Sequence, residues 1–174
     1  FQKGYTPSTM VFDLPTEFAA SNPSCPLDNI DYSAKDENAE CFHPQNFDPE
    51  FKGPIDLRNS LAQSINITSV KTLYLAGLNQ TLKTASDFGI TTLTEKNRYG
   101  LSLVLGGGEV KLIDLTAAYA TLANQGVYMM PNPILEVRDR SGNILEKFDP
   151  NQKGVQAVEK QAAFIVTDML ADPL

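Results

Sequence analysis

Positive charge is scarce in this 174-residue chain: 14 Lys and Arg stand against 21 Asp and Glu, a formal net charge of −7. Nucleic-acid binding needs a basic face to displace counterions from phosphates, and this balance argues against it. It argues equally against docking on anionic lipid by charge alone. Long apolar runs are missing too, since nothing approaches the roughly 20 residues needed to span a bilayer. No signal peptide is visible and the first residue is Phe1, so the chain reads as a piece of something longer, with any anchor or targeting signal left outside it. Histidine occurs once, as His43 beside Pro44 in a polar stretch, and reads as ordinary surface. HExxH, CxxC, GxSxG and Walker patterns are absent, which removes the common zinc, redox, esterase and nucleotide readings. Asp87-Phe88-Gly89 spells a kinase metal motif without its companion motifs, so it reads as a helix end. Gly106-Gly107-Gly108 is followed by Glu109 rather than a lysine and a hydroxyl residue. A tight turn is expected there, not a phosphate cradle.

Cysteine is limited to Cys25 and Cys41. Three readings are open for them. A disulfide leads, closing a loop of about 15 residues for about 3 kcal/mol in the chain-entropy picture, and it would imply an oxidising compartment. Two free thiols are the second. A metal site with His43 is the third, but a closed zinc site would need a fourth ligand.

The rest is ordinary for one soluble domain: 42% apolar and 20% charged residues. Phe1 onward suggests the tail of a helix, and Val11 to Pro15 a short extended piece. Residues 19–54 are rich in Pro, Asn, Ser and Asp, with five acids between Asp28 and Glu40. They read as a solvated loop or insertion; a calcium loop fails for want of its central glycine. From Asp56, a plausible N-cap, the character becomes helical as far as Gly126. Leu57 and Leu61 share one face. Ile67, Val70, Leu73 and Tyr74 point inward on a second helix closed by Gly77. A third runs near Leu78–Phe88, capped by Gly89. Leu112, Leu115, Tyr119, Leu122 and Ala123 line one face of a further helix. Ile134–Phe148 alternates about Ser141-Gly142-Asn143, a β-hairpin in which Gly142 supplies the positive φ. A last helix over 159–170 uses Ala162, Ile165, Val166 and Met169.

One constellation carries chemistry. Ser64-Ile65-Asn66 places a hydroxyl and a carboxamide two residues apart in a break between helices. A hydroxyl relays a proton, and a carboxamide grips a peptide bond by donating and accepting at once. Alone, a Ser-x-Asn turn is usually just a cap. Its surroundings alter the weight. Gly4-Tyr5-Thr6-Pro7-Ser8-Thr9, Asn46-Phe47-Asp48, Phe51-Lys52-Gly53-Pro54, Arg98 through Val110 and Asp114-Leu115-Thr116-Ala117-Ala118-Tyr119-Ala120 follow in order. Together these blocks resemble the transpeptidase domain of class A penicillin-binding proteins over nearly the whole chain.

That resemblance implies an α+β fold, predominantly helical in this segment: the helical part of a penicillin-binding-protein transpeptidase (serine β-lactamase-like) domain, with one β-hairpin near 134–148. Residues 1–174 would be a partial domain, with the 19–54 loop, a helical part over 56–126, the hairpin and the 159–170 helix. Ser64 and Asn66 would form the family's second motif, with Ile65 where the S-D-N form has Asp. Ser64 would pass a proton toward the leaving group, and Asn66 would orient the acyl donor and bond the catalytic lysine. The chain holds no Ser-x-x-Lys, and neither Lys71-Thr72 nor Lys83-Thr84 is followed by Gly. The first motif is expected shortly before Gly4 and the third beyond Leu174. The parent protein would be a D,D-transpeptidase that cross-links peptidoglycan stem peptides through a serine acyl-enzyme and binds β-lactams. It would work at the extracytoplasmic face of the bacterial inner membrane, with an anchor and a glycosyltransferase domain upstream and no cofactor or metal. The chain by itself would be inactive. Two alternatives stand beside this: a non-catalytic helical interaction module able to self-associate, or a D,D-carboxypeptidase or β-lactamase relative.

Overall fold

The structure, a computed structural model, describes residue 1, residues 3–25 and residues 41–172. The acidic stretch from Asp28 to Glu40, expected to be solvated, lies outside the described residues. The chain forms two compact units: Phe1–Leu78 with Asn97–Gly107 and Asp168–Leu174, and Asn79–Lys96 with Gly108–Thr167.

In the first unit, strands β1 (Met10–Asp13) and β2 (Gly53–Asp56) run antiparallel, Val11 opposite Ile55 and Asp13 opposite Gly53. Strand side chains alternate between faces, so Val11 and Asp13 are buried while Met10 and Phe12 are exposed. A carboxylate therefore sits on the inner face. Helix α1 (Leu57–Ala62) follows β2 directly, because the Asp56 carboxylate accepts the Asn59 N–H at 2.8 Å and caps it. Helix α2 (Asn66–Ala76) buries Ile67, Val70 and Leu73, each contributing about 1.5–3 kcal/mol. It packs on β1 and on the 3-10 helix Leu101–Leu105. Gly77 closes it, with its N–H on the Leu73 carbonyl at 2.8 Å.

Three expectations change here. The opening segment is a turn rather than a helix tail, with the Gly4 N–H on the Phe1 carbonyl at 2.8 Å. Tyr74 is 70% exposed although it follows Ile67 and Val70 at helical spacing; in the last turn of α2 it is Leu73 that is buried. Leu61 is exposed while Leu57 is buried, so burial does not extend along the whole face the two share; Ser60 is the second buried residue of α1. Cys25 and Cys41 form a disulfide with Cα atoms 5.5 Å apart, which decides among the three readings.

In the second unit, helix α3 (Leu78–Asp87), of which Asn79 onward belongs here, buries Leu82. Gly89 ends it at φ +87°, where a Cβ would lie 2.3 Å from the Tyr128 ring; only glycine fits. Helix α4 (Leu112–Ala123) overturns its expected face. Ala117 and Thr121 are buried, while Leu112, Leu115 and Tyr119 are exposed. The small side chains admit close packing on one side, and the large apolar ones are left without cover from the described residues. Strands β3 (Val127–Tyr128), β4 (Glu136–Arg138), β5 (Ile144–Lys147) and β6 (Val155–Gln156) pair as β3–β6 and β4–β5. The second pair is the expected hairpin. Gly142 has φ +86°, and the Asp139 carboxylate accepts the N–H groups of Ser141 and Asn143 across the turn. Helix α5 (Lys160–Leu170), of which residues up to Thr167 belong here, buries Ala163; its last residues belong to the first unit, where Met169 is buried.

Candidate active site

The break between α1 and α2 has a defined geometry. The Ile65 N–H reaches back to the Ser60 carbonyl at 3.1 Å and the Ser64 N–H to the Leu61 carbonyl at 3.0 Å. This nested pair is a Schellman C-cap with Gln63 as the cap residue. Ser64 therefore takes the left-handed position, at φ +54°, where glycine normally sits because an L-residue costs about 1–2 kcal/mol there. Ser64 is exposed, and its hydroxyl makes no hydrogen bond among the described residues. Ile65, the next residue, is buried and pins the turn. Below it, the Ser60 and Thr68 hydroxyls bond to each other, and Thr68 also donates to the Ile65 carbonyl at 3.1 Å.

Asn66 opens α2 and is half-buried. Its Nδ2 donates to the Gln45 carbonyl at 2.8 Å, which leaves Oδ1 and a second N–H for a ligand. The N-cap of α2 is Ile65, whose side chain cannot accept a hydrogen bond. A distant residue supplies the acceptor: Asn46 Oδ1 takes the Ile67 N–H at 3.2 Å. Asn46 Nδ2 in turn donates to Asp13 Oδ1 at 2.8 Å, and Asp13 Oδ2 accepts the Lys52 N–H at 2.8 Å. Asp13 is fully buried. Lys71, on α2, donates to the Phe12 carbonyl at 2.7 Å. Burial pushes its amine below the ordinary lysine range, against the opposing pull of the Asp13 charge.

Both residues singled out from the sequence thus lie on one turn, outside the packed interior. A depression of about 300 Å³ is lined by Met10, Pro54 and Ile55, with Lys52, Asp56, Asn59 and Gln63 supplying polar groups. It stops at Gln63, and neither Ser64 nor Asn66 lines it. Sequence reasoning missed Asp13 and Gln45 as supports and read Asn46 only as part of a family block. A charged residue at an inward position of a strand was the available signal for Asp13.

Two other clusters bear on the surroundings. Arg58, on α1, spans two carboxylates near the end of α5, Asp168 at 2.5 Å and Asp172 at 2.9 Å. The hydrogen bond it donates to Asp168, then that to Asp172, holds its guanidinium pKa up. Glu17 is buried and accepts from the N–H groups of Ala19 at 2.7 Å and Phe42 at 2.8 Å. Its other oxygen lies 2.9 Å from His43 Nδ1. His43, expected as surface, is largely covered at 14% side-chain exposure, because this carboxylate holds its ring against the fold. Glu17, Cys25 and Cys41 bring potential metal-binding atoms within 4.8 Å of one another. With the two sulfurs joined, neither offers a thiolate.

Known proteins share this architecture. The family model described as penicillin binding protein transpeptidase domain matches residues 26–172. Penicillin-binding protein 2D of Bacillus subtilis is 35% identical over 170 residues, 97% of this chain and 22% of that protein. Penicillin-binding protein 1A of Neisseria meningitidis is 27% identical over 173 residues, 98% of this chain and 20% of that protein. The chain spans about a fifth of the length of these curated relatives. Among solved structures, the PonA1 protein of Mycobacterium tuberculosis in complex with penicillin V is similar in fold. It has a TM-score of 0.73 at 24% identity, covering 97% of this chain and 42% of that one.

Proposed function

This chain belongs to the penicillin-binding protein transpeptidase family, and from that premise we propose that it supplies one wall of the acyl-transfer cleft of a class A D,D-transpeptidase. The observation that carries the reading is the Ser64–Asn66 turn. An exposed serine is held in a backbone conformation suited to glycine, next to an asparagine anchored by one N–H alone. Strain of this kind, uncompensated by hydrogen bonds of the serine itself among the described residues, clusters at functional sites and supports the reading.

In this reading residues 1–174 are part of one transpeptidase domain; the loop expected over 19–54 ends earlier, because Gly53 and Pro54 already pair with β1 as part of β2. The nucleophilic serine and its lysine come from flanking sequence, since no Ser-x-x-Lys occurs here. The serine attacks the D-Ala-D-Ala carbonyl, and the leaving D-alanine takes a proton through the Ser64 hydroxyl. Asn66 grips the peptide of the acyl donor with its remaining donor and acceptor. An amine of a second stem peptide then resolves the acyl-enzyme. Penicillins acylate the same serine. The Cys25–Cys41 disulfide fits an oxidising site outside the cytoplasmic membrane.

The test is acylation by a fluorescent penicillin in the full-length protein. Ser64→Ala should slow it by about 10²- to 10⁴-fold, the range for a lost proton-transfer group, and Asn66→Ala, through lost positioning, by on the order of 100-fold. Wild-type rates in both variants would remove the reading. The 174-residue chain alone should take no covalent label; a labelled band that survives denaturation would overturn its inactivity.

A second reading rests on the uncovered face of α4, where Leu112 is 82% and Tyr119 60% exposed. Such a face suits self-association of the isolated chain. Light scattering decides: a dimer dispersed by Leu112→Glu supports it, and a monomer at high concentration refutes it.

A further inference from the structure

Helix α2 starts at the proposed catalytic turn with no cap of its own, since Ile65 carries no acceptor. The first N–H groups of a helix need partners, and the structure draws one from 21 residues away. Asn46 Oδ1 accepts the Ile67 N–H at 3.2 Å, two residues after Ile65. The same carboxamide donates from Nδ2 to the buried Asp13 carboxylate at 2.8 Å. Immediately before it, the Gln45 carbonyl receives Asn66 Nδ2 at 2.8 Å. Residues 45 and 46 therefore fix both the start of α2 and the side chain of Asn66, and they are themselves fixed through Asp13. The Lys52 N–H on Asp13 Oδ2 at 2.8 Å sets the carboxylate plane.

We propose that Asn46 is a positioning residue for the transpeptidase reaction: it relays the register of the buried Asp13 carboxylate to the Ser64–Asn66 turn. This rests on the function proposed above. Only a carboxamide of this length serves both ends, donating to a carboxylate and accepting from an N–H. An aspartate there sets two carboxylates against each other next to a buried site, and a serine is too short to span the gap. Loss of the relay leaves the turn free to shift, and a displacement of about 1 Å at a reacting group costs on the order of 100-fold in rate.

The experiment uses the full-length protein and a fluorescent penicillin, with the acylation rate constant expressed per acylatable molecule. A merely structural role lowers the number of acylatable molecules and leaves that constant unchanged. Asn46→Asp should lower the constant by about 10- to 100-fold. The double variant Asp13→Asn with Asn46→Asp exchanges donor and acceptor. The carboxamide now on β1 donates to the carboxylate now on the loop, and that carboxylate still accepts the Ile67 N–H. The double variant should return to within about threefold of wild type, because the hydrogen bonds are restored in reverse. If Asn46→Asp does not fold, Asn46→Ser carries the same expectation without a second carboxylate. An unchanged constant in the single variant overturns the relay. So does a double variant as slow as the single. Ser64→Ala and Asn66→Ala in the same assay separate the two ideas: if they are slow and the Asn46 variants are not, the relay alone fails; if they are fast, the underlying function fails.

Discussion

Replacing Ser64 with glycine should make the protein more stable and less active at once. Ser64 sits at φ +54° as the left-handed residue of a Schellman cap. Its Cβ costs about 1–2 kcal/mol there, and its exposed hydroxyl recovers none of that through hydrogen bonds among the described residues. Glycine removes the steric cost but gives the unfolded chain more freedom, returning about 0.5–1 kcal/mol. The net gain is about 0.5–1 kcal/mol. For a chain of 174 residues, that raises Tm by about 1–4 °C. Urea unfolding at constant m-value would show it as a higher midpoint. Ser64→Ala is the control: it keeps the Cβ and the strain, loses only the hydroxyl, and should match wild type within about 0.5 kcal/mol. In the full-length protein both variants should lose penicillin acylation to the same extent. A Ser64→Gly protein no more stable than Ser64→Ala would refute the claim that strain is stored at this turn.

Reduction of Cys25–Cys41 should cost about 3 kcal/mol, the chain-entropy value for a loop of roughly this size; identical urea midpoints with and without a dithiol reductant would contradict it. Burial pushes the Glu17 carboxyl up, but the N–H groups of Ala19 and Phe42, and His43, outweigh it and bring it below its ordinary 4.5. A carboxyl lowered on folding adds stability above its unfolded pKa, lost as pH falls through the folded one. Glu17→Gln should therefore flatten the fall of stability below pH 4.5, read by urea midpoints across that window; an unaltered slope would speak against the clasp. Ile67→Ala, at a side chain with no exposure, should cost about 2–5 kcal/mol, and a loss under about 1 kcal/mol would mean that α2 is not packed as described.

Much of the fold was legible because local rules agreed with the tertiary result. Asp56 caps α1, Gly77 closes α2, and Gly142 turns the hairpin, each for a reason contained in a few neighbouring residues. The errors fall where cover comes from elsewhere. Tyr74 and the Leu112–Tyr119 face have the right periodicity for burial, but periodicity states which side is apolar, not what lies against it. His43 departs from expectation for the same reason, since the carboxylate that holds it is 26 residues away. At the candidate site, the Ser-x-Asn turn could be placed between helices from the sequence. Its left-handed serine could not, because glycine is the residue that announces such a cap. Nor could the supports be found, since Asp13, Asn46 and Ile67 meet only after the chain has closed β1 on β2 and brought the loop back to α2.

The supports of this turn are polar as well as apolar, and the polar ones add direction. Hydrophobic burial is non-directional and tolerates sliding of side chains against one another. A hydrogen bond weakens steeply once its angle falls away, so a chain of them through Asp13, Asn46 and Ile67 fixes orientation as well as distance. Ile65 holds the turn down by burial, and Thr68 and Ser60 fix it from beneath by hydroxyl contacts. Ser64 is then exposed and strained, with no hydrogen bond of its hydroxyl among the described residues, on a turn held from several sides. For the proton-transfer role proposed for Ser64, this division would suit a hydroxyl that has to be free yet held in one place: buried groups anchor the backbone, and the side chain is left exposed.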